Sequence, residues 1–152
     1  MSFKGIFILI FSLISIGYSF GQEPQVLGGY KFIENKNQWP DQVQYRSDIQ
    51  GGYLYLEKDG FLFNLYDGKE FARYVQAHYD KSLPRNFDKL SWHSYKVTFS
   101  NCNTEALVKG SLETPEYYNY FLGNDKSKWA SHAKGFHRIE YKELYPGIDL
   151  NM

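Results

Sequence analysis

From Tyr53 to Tyr66 the chain reads Tyr-Leu-Tyr-Leu-Glu-Lys-Asp-Gly-Phe-Leu-Phe-Asn-Leu-Tyr, two extended runs on either side of one polar break. Aromatic side chains favour a pleated, half-buried surface, and glycine tolerates the positive φ of a tight turn. Residues 53–57 and 61–66 are therefore expected to pair antiparallel around Asp59-Gly60. Both faces of this hairpin carry apolar or aromatic groups, so each should be covered, at least in part. The rest of the chain supports the same class. Of its 152 residues, 19% are aromatic and thirteen are Gly. Ala occurs five times, which is poor material for helices.

Shorter runs with a two-residue period extend the pattern. Tyr30 and Phe32 open a strand that ends near Asn35, and Val43 to Arg46 alternates apolar with polar. Tyr95, Val97 and Phe99 alternate against Lys96, Thr98 and Ser100, a half-buried signature. Tyr117 to Leu122 is aromatic-rich, and His137, Ile139 and Tyr141 alternate with Arg138, Glu140 and Lys142. Leu144 to Leu150 is extended but broken by Pro146-Gly147. Residues 67–92 differ and read as an insertion. Within it Lys69 to Tyr79 suits a short helix with Phe71, Tyr74, Val75 and His78 on one face, and Lys81 to Asp88 suits a loop. The expected fold is an all-β, antiparallel β-sandwich-like module with a short helical or loop insertion. Its last strand would leave an open edge, so a module incomplete at the C-terminus is expected.

The first residues read as an address. Lys4 precedes an apolar run from Ile6 to Ile16, followed by Ser19-Phe20-Gly21 with small residues at the −3 and −1 positions. Eleven helical residues span about 16 Å, roughly half a bilayer core, so no membrane span should persist after cleavage. The organisation is thus a signal peptide at 1–21, a linker at 22–29 and a β-rich domain at 30–152, of a chain secreted or held at the cell surface.

Charge and reactive groups narrow the function classes. Seventeen basic and seventeen acidic side chains balance, leaving no electrostatic reason to expect nucleic acid. The single Cys102 excludes an internal disulfide. His78, His93, His132 and His137 show no metal-ligand spacing, and no serine stands in a nucleophile elbow. Carboxylates are plentiful (Glu57, Asp59, Glu113, Glu116, Asp125, Glu140, Glu143, Asp149), yet no pair is marked out as catalytic. Asp59 and Asp125 suit turn or cap roles. The expectation is no catalytic residue, no metal and no cofactor. The aromatics remain. Trp39, Trp92 and Trp129 stand beside polar residues in turns or loops, and Tyr118 and Tyr120 lie in a dense run of phenols. Such rings fill a core short of Val and Ile, or stack on sugar rings and anchor interfaces. Trp39-Pro40 reads as a plug at the end of the first strand.

Four stretches carry a resemblance: Phe32-Ile33-Glu34-Asn35-Lys36-Asn37-Gln38-Trp39-Pro40, Gly51-Gly52-Tyr53-Leu54-Tyr55-Leu56-Glu57-Lys58-Asp59-Gly60, Asn119-Tyr120-Phe121-Leu122-Gly123-Asn124-Asp125-Lys126-Ser127-Lys128-Trp129 and Tyr141-Lys142-Glu143-Leu144-Tyr145-Pro146-Gly147-Ile148-Asp149-Leu150. Together they resemble the N-terminal domain of unknown function that precedes β-propeller-type repeats in secreted proteins of Bacteroidetes-type bacteria. Those parents often end in gliding-motility-associated or type IX secretion sorting domains. The resemblance implies an all-β module with adhesion or scaffold roles and supplies no site residues. Its expected partners are the downstream β-rich repeats, with a surface glycan or another protein as ligand. The expected function is a non-catalytic structural or interaction module, the alternative being a carbohydrate-binding module or the remnant of a polysaccharide-acting enzyme. N-terminal sequencing of the chain exported by its own cells is expected to begin at Gln22; an N-terminus at Met1 would reject the export reading.

Overall fold

The computed structural model describes residues 29–80, 82 and 90–152. The expected signal peptide and most of the loop between Lys81 and Asp88 lie outside the described residues. Eight strands make up the sheet: β1 Phe32–Glu34, β2 Val43–Ile49, β3 Gly52–Glu57, β4 Gly60–Tyr66, β5 Trp92–Thr98, β6 Leu107–Tyr120, β7 Ala130–Tyr145 and β8 Ile148–Asn151. They pair antiparallel in the order β5-β4-β3-β2-β1-β7-β6, with β8 also on β7. The all-β class is therefore observed. Its two layers are halves of one curled sheet.

The long strand β7 organises the curl. Its first half pairs with β1 (Phe32 opposite Phe136) and its second half with β8 (Tyr141 opposite Leu150). From Ala130 to Lys142 it pairs with β6. Strict alternation then sorts the side chains. Leu54 and Leu56 on β3 and Phe61 and Phe63 on β4 point inward, while Tyr53 and Tyr55 point outward. The inward set meets Ile139, Tyr141 and Leu144 of β7 in one core cluster with Phe32 and Ala106. Phe61 and Phe99 set their edges or faces against Tyr141, at 6.3 and 6.0 Å between centroids. A buried phenol needs a partner, and the Tyr141 hydroxyl donates to the Glu57 carbonyl at 2.9 Å.

The central hairpin forms as expected, but its turn is shifted by one residue. Glu57 pairs with Gly60, so Lys58-Asp59 make the turn and Gly60 is already in β4. Gly60 is not in the positive-φ region. Its lack of a side chain matters for a different reason: a Cβ there would run into the Val97 carbonyl oxygen of β5. Positive φ is needed instead at Gly147 (φ 73°), in the Pro146-Gly147 turn between β7 and β8.

The insertion holds the expected helix, α1, Gly68–Tyr79, capped by the Asp67 carboxylate, which accepts from the Lys69 and Glu70 N–H groups. The expected face holds in part: Phe71 and Val75 are half-buried, whereas Tyr74 and His78 are exposed and the buried residue is Ala77. The Glu70 carboxylate accepts from the Ser91 N–H at 2.8 Å and draws the Glu70–Ala77 line inward. Trp92 belongs to β5, opposite Tyr66, so the insertion closes at Ser91. The alternation expected of β5 does not give a half-buried strand: all seven residues are exposed, because β5 is the outermost strand of its half. Tyr30 lies outside β1 and is exposed. The first part of β6, Leu107–Pro115, had no counterpart among the expected strands.

Gly60→Ala is expected to force β4 and β5 apart and cost about 1–3 kcal/mol in urea unfolding. Gly68→Ala, whose Cβ would meet nothing within 4 Å, is expected to leave stability unchanged or slightly raised.

Candidate functional site

The outward parity of β2, β3 and β4 collects a second set of rings. Register places Arg46 opposite Tyr55, and Asp48 opposite Tyr53. The Arg46 guanidinium lies 4.5 Å from the Tyr53 ring centroid, 4.8 Å from Trp39 and 6.0 Å from Tyr120. A guanidinium over aromatic faces is attracted by their quadrupoles, the more so where water is excluded. Arg46 also donates to Asp48 Oδ1 at 3.1 Å, while its buried Nε has no hydrogen-bond partner. Around this cation the rings touch in sequence. Trp39 packs edge-on against Tyr120 (5.3 Å) and Tyr55 (6.3 Å), Tyr55 against Tyr53, and Tyr53 stacks on Trp92 at 5.9 Å. Trp92 then meets Tyr66, and Tyr66 meets Phe71 at the start of α1. A continuous aromatic strip thus crosses the outer face.

Trp39 is held there by one side chain. Asn35 Nδ2 donates to the carbonyls of Trp39, Pro40 and Val43 at 3.2, 3.0 and 2.8 Å, and its Oδ1 accepts from the N–H groups of Asn37 and Trp39. The turn is pinned by Asn37 Nδ2, which donates to the Ser127 carbonyl just ahead of β7, and by Lys36 Nζ, which donates to that of Ser131 at the start of β7. Beside this turn opens a cleft of about 540 Å³, lined by Gln38, Trp39, Pro40, Asp41, Gln42 and Lys128.

Of the rings singled out in the sequence, the fold brings Trp39, Trp92 and Tyr120 into the strip. Trp129 stands apart, its Nε1 donating to the Gly123 carbonyl and its ring against Phe121 and Lys126. Tyr118 lies further along β6 beneath the Lys31 ammonium, 5.8 Å away. Trp92 is on a strand, not in a loop, because it closes the β4–β5 ladder. Arg46 and Asn35 escaped the sequence reading. Arg46 could have been found by extending the hairpin parity to β2.

The eight carboxylates singled out in the sequence are each engaged. Lys96 bonds both Glu57 (2.6 Å) and Asp59 (3.1 Å), Lys134 bonds Glu113, Lys31 bonds Glu116, and Lys142 bonds Asp149 with Glu140 at 3.7 Å. Asp125 caps the short 3-10 turn Lys126–Lys128, as expected, and Glu143 accepts from the Gly147 N–H. The histidines are dispersed: His78 is on α1, His93 on β5, and His132 and His137 on β7, with His132 stacked on Tyr117. Among the described residues no three His, Cys, Asp or Glu side chains gather as a metal site, and no helix is long and apolar enough to cross a membrane.

The comparison with known families bears on the whole of this fold. A family model for a domain of unknown function, DUF7948, matches residues 32–152. The chain belongs to that family. No curated protein and no solved structure matches it. The match begins at the first residue of β1 and takes in both the aromatic strip and the cleft, so the described site is part of the DUF7948 domain itself.

Burial raises the Tyr55 and Tyr120 phenols above their ordinary value of 10.0, with Arg46 opposing it, and raises Tyr45 and Tyr141 likewise. The unfolded chain therefore releases these protons first. Their stabilising contribution is complete below pH 10 and is lost as pH rises through the folded-state values. Urea midpoints measured from pH 8 upward are expected to hold until about pH 10 and then fall, with the late phenolate absorbance appearing together with unfolding. Half of the total phenolate absorbance already developed at pH 10 in the folded protein would contradict this.

Proposed function

We propose that the DUF7948 domain is a non-catalytic interaction module of a secreted or cell-surface protein, and that the outer aromatic strip is its contact surface. The observation that carries this is the Arg46-centred array of Trp39, Tyr53, Tyr55 and Tyr120, continued by Trp92. Rings held by other rings offer large apolar area at small conformational cost, which is what an interface anchor requires. The engaged carboxylates and dispersed histidines favour binding over chemistry. The apolar run behind Lys4 supports export. The four stretches resembling secreted Bacteroidetes proteins support a position ahead of β-propeller-type repeats, in parents carrying gliding-motility-associated or type IX sorting domains.

The test is saturable binding of the labelled, purified domain to the intact surface of the cells that produce it. Trp92→Ala is expected to weaken this binding at least tenfold with the circular dichroism spectrum unchanged. Absence of saturable binding, or turnover of a substrate by the purified domain, would overturn the reading.

A further inference from the structure

We propose that the cleft beside Trp39 is a binding site for a neutral saccharide chain, an inference that rests on the interaction-module reading and names one ligand for it. The cleft measures about 540 Å³, within the range of small-ligand sites. One wall is the Trp39 indole, which Tyr55, Tyr120 and Arg46 pack against and which Asn35 fixes through its turn. An immobilised indole suits the C–H face of a pyranose ring, whose apolar area it covers without an ordering cost at the moment of binding.

The polar groups on the rim complete the match. Asp41, Gln42 and Lys128 make no side-chain hydrogen bond or ion pair with any described residue, although the other lysines and acids nearby are engaged. Gln38, by contrast, is committed: its Oε1 accepts from the Lys36 N–H and its Nε2 donates to the Glu34 carbonyl. It therefore shapes the wall. The free set comprises one acceptor, one donor and one amide that does both. Sugar hydroxyls donate and accept in adjacent pairs, which is the pattern this set answers. One negative and one positive side chain cancel, so the cleft offers no field to hold a polyanion.

Affinity electrophoresis of the exported chain tests the site, with galactomannan, xyloglucan or laminarin cast into one gel each and alginate into a fourth. Retardation is expected in at least one neutral gel and not in alginate. Asp41→Ala and Lys128→Ala remove no side-chain hydrogen bond or ion pair with a described residue and are each expected to weaken that retardation several-fold, and the double variant at least tenfold. Trp39→Phe, with its fold checked by circular dichroism, is expected to weaken it as well. No retardation in any neutral gel, retardation in alginate alone, or retardation indifferent to Asp41→Ala and Lys128→Ala would overturn the proposal. Cell-surface binding that survives the double variant but is lost in Trp92→Ala would sink this site while leaving the interaction module standing.

Discussion

The two halves of the curled sheet are locked together where the Tyr141 hydroxyl reaches the Glu57 carbonyl across 84 positions of sequence. Tyr141 is fully buried, so its hydroxyl must be satisfied within the protein, and the Glu57 carbonyl at the end of β3 does this. The bond fixes how far β7 slides over the hairpin. With that distance set, Phe61 and Phe99 close around the Tyr141 ring and Leu56 is sealed from water. Glu57 is itself buried, and its side chain leaves on the opposite side of β3 to meet Lys96 of the outermost strand. One residue thus ties the core to the edge: its backbone receives the phenol and its carboxylate receives the ammonium.

The same strand parity that builds the core builds the outer face. Because Leu54 and Leu56 must point in, Tyr53 and Tyr55 must point out, and a slip of one residue would exchange the two sets. The strip is therefore a consequence of core packing. It becomes a surface of defined shape only through Arg46, which sits against three rings from different parts of the chain, and through Asn35, which draws the Trp39 turn over β2. The hydrogen bonds of Asn35 are local, within eight residues, whereas Arg46 brings together Trp39, Tyr53 and Tyr120. The first is a turn motif and the second a tertiary junction.

That difference explains what the sequence disclosed. The hairpin, the helix of the insertion, the Asp125 cap and the Pro146-Gly147 turn all arise from neighbours in the chain, and each is readable from short patterns. The first half of β6 is not. Lys109, Gly110, Ser111, Glu113 and Pro115 give it no apolar period, because it is an edge strand whose hydrogen bonds come from β7. Gly110 lies there because the Phe136 ring fills the space a Cβ would occupy, a demand made by a residue 26 positions away. Likewise β5 shows a two-residue period, yet no other element among the described residues buries it, since burial depends on the neighbouring layer and not on the strand. Trp39, Trp92 and Tyr120 were recognisable as candidates by residue type, but their convergence needed three separate elements. Trp129 and Tyr118 have the same chemistry and lie outside the strip.

Aromatic residues do two kinds of work here, and the geometry of their contacts distinguishes them. Inside, Phe61, Phe99 and Tyr141 meet nearly perpendicular, each edge against a neighbouring face, an arrangement that fills volume. Outside, Tyr53 and Trp92 lie almost parallel. Trp92 keeps exposed area where the strip turns toward Tyr66 and α1, and Trp39 borders the cleft at the other end. The fixed cation between them orders the rings before any partner arrives, so binding need not spend free energy on arranging them. A chain so rich in phenols and indoles would otherwise expose a loose apolar surface prone to association. Here Arg46 holds much of it as a single ordered face.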